Sequence, residues 1–81
     1  MKLQILLFAG LRDRVGSASI AIDVPEPVHA GELLRYVLPD STEAARWSSC
    51  TRVAVNHAYV AADYAIQPGD EVALIPPVAG G

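Results

Sequence analysis

Val28-His29-Ala30-Gly31-Glu32-Leu33-Leu34-Arg35-Tyr36-Val37-Leu38-Pro39 is the stretch on which the fold of this chain turns. Ala30, Leu33, Leu34, Val37 and Leu38 recur at i, i+3, i+4, i+7 and i+8, the stripe of a helix lying on a sheet. Pro39 ends the run, because a proline disfavours helical backbone at the residue before it. A stripe of this kind needs an apolar surface to cover, and the flanking segments supply it.

On the N-terminal side, Leu3 to Ala9 is short, apolar and bounded by Gly10, which predicts a strand buried on much of both faces. Leu11 to Val15 predicts one helical turn stopped by Gly16. Ser19 to Val24 alternates, with Ile20, Ile22 and Val24 on one face, so a first hairpin is expected before Pro25 and Pro27. On the C-terminal side, Asp40 and Ser41 are suitable caps for a second short helix through Glu43, Ala44, Ala45 and Arg46. Arg52 to Asn56 reads as a strand, His57-Ala58 as a turn and Tyr59-Val60 as a short return strand. Gln67-Pro68-Gly69-Asp70 has proline and glycine at the two central positions of a type II turn, feeding a last strand from Glu71 to Ile75. The order ββαβββ describes an α+β domain over residues 1–75, about five strands with one main helix packed on one sheet face.

The 81 residues suffice for one domain with one core, and 52% of them are apolar. The net charge is −3, and Lys2, Arg12, Arg14, Arg35, Arg46 and Arg52 are scattered, which leaves no footprint for nucleic acid. Cys50 is the single cysteine, so no internal disulfide can form and a reducing, cytoplasmic compartment is expected. The histidines and the cysteine lie too far apart to suggest a metal. The Leu3–Ala9 run is short and lacks a small-residue cleavage pattern before Arg12, and no stretch approaches the roughly 20 apolar residues of a membrane helix.

Beyond residue 75 lies the tail Pro76-Pro77-Val78-Ala79-Gly80-Gly81. Gly-Gly alone decides little, since chance alone gives it on the order of 0.5% of the time. The prolines change its meaning: they cannot continue a ladder, and they favour an extended path away from the sheet. Six residues at roughly 3.3 Å each reach about 20 Å, far enough to enter another protein's active site. Glycine at the last two positions leaves the α-carboxylate of Gly81 open to attack and to a narrow tunnel. A carboxylate is a poor electrophile until ATP converts it to an acyl-adenylate. Nothing in the chain looks like a nucleotide site, so that ATP would be used by a separate enzyme, with no cofactor bound here.

The chain resembles the small, sulfur-carrying subunit of molybdopterin synthase, in the ubiquitin-like β-grasp group of sulfur carriers. The resemblance rests on Phe8-Ala9-Gly10-Leu11-Arg12 with Val15-Gly16, Val55-Asn56, Gly69-Asp70-Glu71-Val72-Ala73 and the Pro76–Gly81 tail, in this order and at this length. It implies that a ubiquitin-activating-type adenylyltransferase adenylates Gly81 and that sulfur from a donor protein then replaces AMP to give a thiocarboxylate. The tail, Pro76, Pro77, Val78, Ala79 and Gly80 included, would enter the active site of the large synthase subunit, where sulfur is delivered to form the dithiolene. The chain would be a sulfur-donating subunit and not a catalyst by itself. Leu74 and Ile75 stand where aromatic residues often precede the two prolines. Archaeal modifiers that are also attached to lysines end similarly, and carriers for thiamine or cysteine synthesis share the Gly-Gly end, so both remain as alternatives.

Strand parity adds a candidate surface. Leu6 and Phe8 point opposite to Leu3, Ile5 and Leu7; in the last strand Ala73 and Ile75 fall on the face away from the helix. Phe8, Tyr59 and Ile75 thus either form an exposed partner-binding patch beside the tail or fill a satellite core under a loop. Asp70-Glu71 reads as turn and strand-edge charge, His29 and His57 as helix-start and turn residues, and Trp47 and Tyr36 as core or groove-covering aromatics.

Overall fold

Alternating side chains build a sheet with one dry face. The computed structural model describes residues 1–77. In β1 (Lys2–Leu7), Leu3, Ile5 and Leu7 are buried while Lys2 and Gln4 are exposed. The expected burial of both faces therefore does not hold; β1 hides one face, and Phe8 and Ala9 have already left the strand. On one side β2 (Ser19–Asp23) pairs antiparallel with β1, setting Ile22 opposite Leu3 and Ile20 opposite Ile5. On the other side β5 (Glu71–Ile75) pairs with β1 in parallel, with Ile5 opposite Val72 and Leu7 opposite Leu74. β3 (Arg52–Val55) joins β5 antiparallel, and β4 (Ala58–Val60) closes the far edge. The order β2-β1-β5-β3-β4 places the first and last strands together at the centre of a mixed sheet.

The dry face is covered by α1 (Ala9–Val15), a 3-10 turn at Ala30–Glu32, α2 (Leu34–Val37) and α3 (Ser41–Ser48). Leu11, Ala30, Leu33, Leu34, Leu38 and Ala44 form one buried cluster with Leu3, Ile5, Leu7, Val72 and Leu74. Each fully buried leucine contributes about 2 kcal/mol from area removed from water. The helical stripe is thus present where its period placed it, with Val37 only partly buried.

The run is nevertheless not one continuous helix. The Glu32 and Leu33 N–H groups donate to the carbonyls of His29 and Ala30, the shorter i to i−3 spacing of a 3-10 turn. The N–H groups of Ala30 and Gly31 donate instead to Tyr64 and Ala62, each at 2.9 Å, so residues 61–66 lie directly against this turn. Such long-range partners cannot be read from a local period. His29 caps the turn, its backbone N–H and ring both meeting the Glu32 carboxylate, which these hydrogen bonds hold below the usual carboxylate range. At the other end Leu38 is extended, as the residue before Pro39 should be.

α3 begins at the Asp40 cap, whose Oδ1 accepts the Glu43 N–H at 3.0 Å, and runs two residues beyond the expected Arg46. The Arg14 guanidinium meets the Glu43 carboxylate with both of its prongs, joining α1 to α3. The hydrogen bond from Arg14, aided by its charge, holds Glu43 below the usual carboxylate range, and Glu43 in turn raises Arg14. Trp47 packs partly buried against the core, whereas Tyr36 is exposed and is no part of that core.

Two outcomes follow from this packing. A Cβ at Gly31 would stand 2.9 Å from the Ala62 Cβ and 3.3 Å from the Ala62 carbonyl oxygen. Gly31→Ala should therefore destabilise the domain by about 1–3 kcal/mol, read as a lower urea midpoint at unchanged slope. In the folded chain Glu43 keeps its charge at pH values where an unfolded glutamate has begun to bind a proton. Its contribution is fully present above the ordinary glutamate range and is lost as pH falls through its lowered pKa. The stability difference between the wild type and Glu43→Gln should accordingly shrink as pH is taken from 7 toward about 3.

Candidate functional site

The face away from the helices has its own order. Register places Leu6, Ala73, Ala54 and Tyr59 side by side across β1, β5, β3 and β4. Ala54 and Ala73 are small, so they form a floor between taller neighbours. Phe8 follows β1 with extended backbone, and the chain then swings away at Ala9, whose φ of 50° lies in the left-handed region. Ile75 closes the same end from β5. Together these residues line a shallow concavity of about 380 Å³. Phe8 is 42% exposed and Tyr59 56%, so neither fills a satellite core.

Charged groups sit at the two ends of this groove. At the far end His57 Nε2 lies 2.6 Å from Glu71 Oε1. At the end where the chain leaves the sheet, the Arg52 guanidinium carbon stands 4.0 Å above the centre of the Tyr59 ring. Arg52 is opposite Ile75 in the β3–β5 register, which puts this stack next to Pro76.

Two turns hold the far end in place. Asn56 and His57 both have positive φ, 51° and 72°, the conformation a two-residue type I′ hairpin loop needs, and Asn tolerates it well. The turn is therefore Asn56-His57 and not His57-Ala58, and Ala58 already pairs with Val55. Gly69 has φ 87°, as the second central residue of the expected type II turn, and the Asp70 N–H donates to the Gln67 carbonyl at 3.1 Å. The Asn56 side chain ties the turns together: its Nδ2 donates to Asp70 Oδ1 and its Oδ1 accepts the Glu71 N–H, each at 3.0 Å. Asp70 and Glu71 are thus held by turn and strand-edge bonds.

β5 ends at Ile75 as the paired prolines require; Pro76 is buried and Pro77 exposed. The expectations for Val78, Ala79, Gly80 and Gly81 fall outside the described residues. Among the described residues no cluster of three or more His, Cys, Asp or Glu is placed to hold a metal, and no helix is long and apolar enough to cross a membrane. Cys50 is exposed. The groove carries no nucleophile paired with a base. It offers apolar area and shape, framed by charge.

The ThiS family model matches residues 5–81. The chain belongs to the ThiS family. A curated relative, the molybdopterin synthase sulfur carrier subunit of Dictyostelium discoideum, is 35% identical over 96% of this chain and 94% of its own length. Among solved structures, SAMP1 from Haloferax volcanii is similar with a TM-score of 0.80 and 29% identity over the whole of both chains. A Helicobacter pylori structure, a complex of subunits 1 and 2 of molybdopterin-converting factor, matches with a TM-score of 0.62 at 22% identity over the whole of both chains and shares the fold. The resemblance read from the motifs and the ubiquitin-like β-grasp architecture are both borne out by these matches.

The sequence reading of the groove missed Arg52. Its signal was the hairpin register, which the misplaced turn displaced by two residues. Because Phe8 and Ile75 line the open face, Phe8→Asp and Ile75→Asp should leave the fold intact. Circular dichroism spectra should be unchanged, and stability should fall by no more than about 1 kcal/mol.

Proposed function

We propose that this chain is a sulfur carrier for molybdopterin synthesis, working through a thiocarboxylate on Gly81. The observation that carries the reading is the match along nearly the full length of both chains to a relative named as a molybdopterin synthase sulfur carrier subunit. The geometry is compatible: β5 hands the chain to Pro76 and Pro77 at the end of the sheet where the groove is apolar.

In this reading the Gly81 carboxylate attacks the α-phosphorus of ATP in a partner adenylyltransferase, releasing pyrophosphate. A hydrosulfide ion, released by a donor protein, then attacks the acyl carbon, AMP leaves with the bonding electrons, and loss of the remaining S–H proton gives the thiocarboxylate. The thiocarboxylate enters the large synthase subunit, gives its sulfur to the pterin precursor and returns as a carboxylate after hydrolysis. Catalytic side chains belong to the partners; this chain contributes the acyl group and the surface that seats it. Phe8, Tyr59 and Ile75 dock on the large subunit, and Pro76, Pro77, Val78, Ala79 and Gly80 span the distance to its active site. ATP and reduced sulfur are available in the cytoplasm, where a single unpaired cysteine is also tolerated. The Helicobacter pylori relative, seen with a second subunit, supports a partner of this kind.

A second reading has its own support in the similarity to SAMP1. Conjugation through Gly81 to lysines would leave Gly-Gly remnants on target proteins, which peptide mass spectrometry detects and which a pure carrier lacks.

The leading reading is tested by incubating the chain with an active adenylyltransferase, ATP and a sulfur donor. Intact mass should rise by the difference between one sulfur and one oxygen, and deletion of Gly81 should abolish the rise. Absence of any gain in the wild type would refute it.

A further inference from the structure

Charge around the groove is asymmetric. At the far end Glu71 is already met by His57 at 2.6 Å, so that carboxylate has an internal partner. At the tail end the situation is reversed. Arg52 is exposed, and among the described residues no carboxylate comes within ion-pair distance of it. Its partner is the face of Tyr59, 4.0 Å away. Stacking on an aromatic face orients a guanidinium yet leaves the N–H groups at its edge unused, and these match a carboxylate with two parallel hydrogen bonds.

Position narrows what the fork can meet. Arg52 lies opposite Ile75, where the tail begins. With the tail extended, Gly81 is up to about 20 Å farther on, so phosphates handled at the acyl end are beyond the reach of this side chain. A group on the surface that receives the base of the tail is within reach. That surface must be apolar where it covers Phe8 and Ile75, and it is complementary if it carries negative charge beside them.

We propose that Arg52 is a specificity-determining anchor that takes a carboxylate side chain of the large synthase subunit at the mouth of the tail channel. The Tyr59 stack holds the fork in place, and pairing at only one end of the groove sets the orientation in which the tail is offered. This inference rests on the reading of the chain as a carrier that docks on that subunit.

The test is calorimetric titration of the large subunit with the full chain at low and high salt, with thermal unfolding as a control on folding. Arg52→Ala should weaken binding about tenfold and Arg52→Glu about a hundredfold, with a smaller salt dependence for Arg52→Ala. Arg52→Lys should recover only part of the loss, because an ammonium lacks the planar fork. One acidic residue of the large subunit, changed to arginine, should restore binding to Arg52→Glu. If Arg52→Glu binds within twofold of the wild type while Phe8→Asp is strongly weakened, the anchor is overturned and the docking reading stands. If neither substitution weakens binding, both are overturned. Weakening that no charge swap repairs would overturn the carboxylate, and loss of thiocarboxylate formation with unchanged affinity for the large subunit would assign Arg52 to the activating enzyme instead.

Discussion

The parallel pairing of β1 with β5 is the constraint on which the rest depends. It brings together strands from opposite ends of the sequence, and its core-side residues, Leu3, Ile5, Leu7, Val72 and Leu74, are almost wholly withdrawn from water. Two strands in parallel cannot be joined by a short turn, so everything from Phe8 to Asp70 serves as the connection between them. The helices follow as cover for the dry face of that pair, and β2, β3 and β4 widen it. Parallel direction also means that β1 and β5 finish at the same end of the sheet. Phe8, Ile75 and the prolines therefore emerge side by side, and the groove and the tail are neighbours because the sheet is built this way.

The same arrangement divides labour between the faces. The helix face holds the stability of the domain, with leucine-rich packing and the Arg14–Glu43 clasp between α1 and α3. The open face holds little of it, since Phe8 and Tyr59 stay partly in contact with water and Ala54 and Ala73 are too small to fill the space between them. A contiguous exposed apolar patch is the kind of surface that marks an interaction site. The Asn56 bridge between two turns ties down that face at the end remote from the tail.

Much of this was legible in residue order, and the reasons differ by element. The stripe Ala30–Leu38 and the alternation of Ile20, Ile22 and Val24 are direct records of which side faces the core. Pro68-Gly69 encodes its turn because few backbones suit that pair. Two features were not legible. The 3-10 turn depends on hydrogen bonds from Ala30 and Gly31 to residues about thirty positions away, and no local pattern carries such partners. The Asn56-His57 loop was displaced by one residue, because Asn and His both tolerate left-handed backbone without demanding it. That displacement slid the β3–β4 register by two, which preserves the face of every side chain but changes its neighbour. Tyr59 was therefore assigned to the open face, while its contact with Arg52 was not.

The position of β5 has a consequence for synthesis of the chain. Its residues complete the core, line part of the groove through Glu71, Ala73 and Ile75, and lead straight into the tail. A nascent chain that lacks them has neither a closed hydrophobic interior nor a finished groove. Completion of the fold thus waits on the last strand of the sheet. A chain that ends before Glu71 is therefore left with β1 and β3 unpaired along the edges that β5 would join, and cellular quality control meets it as open strand edges and bare apolar surface.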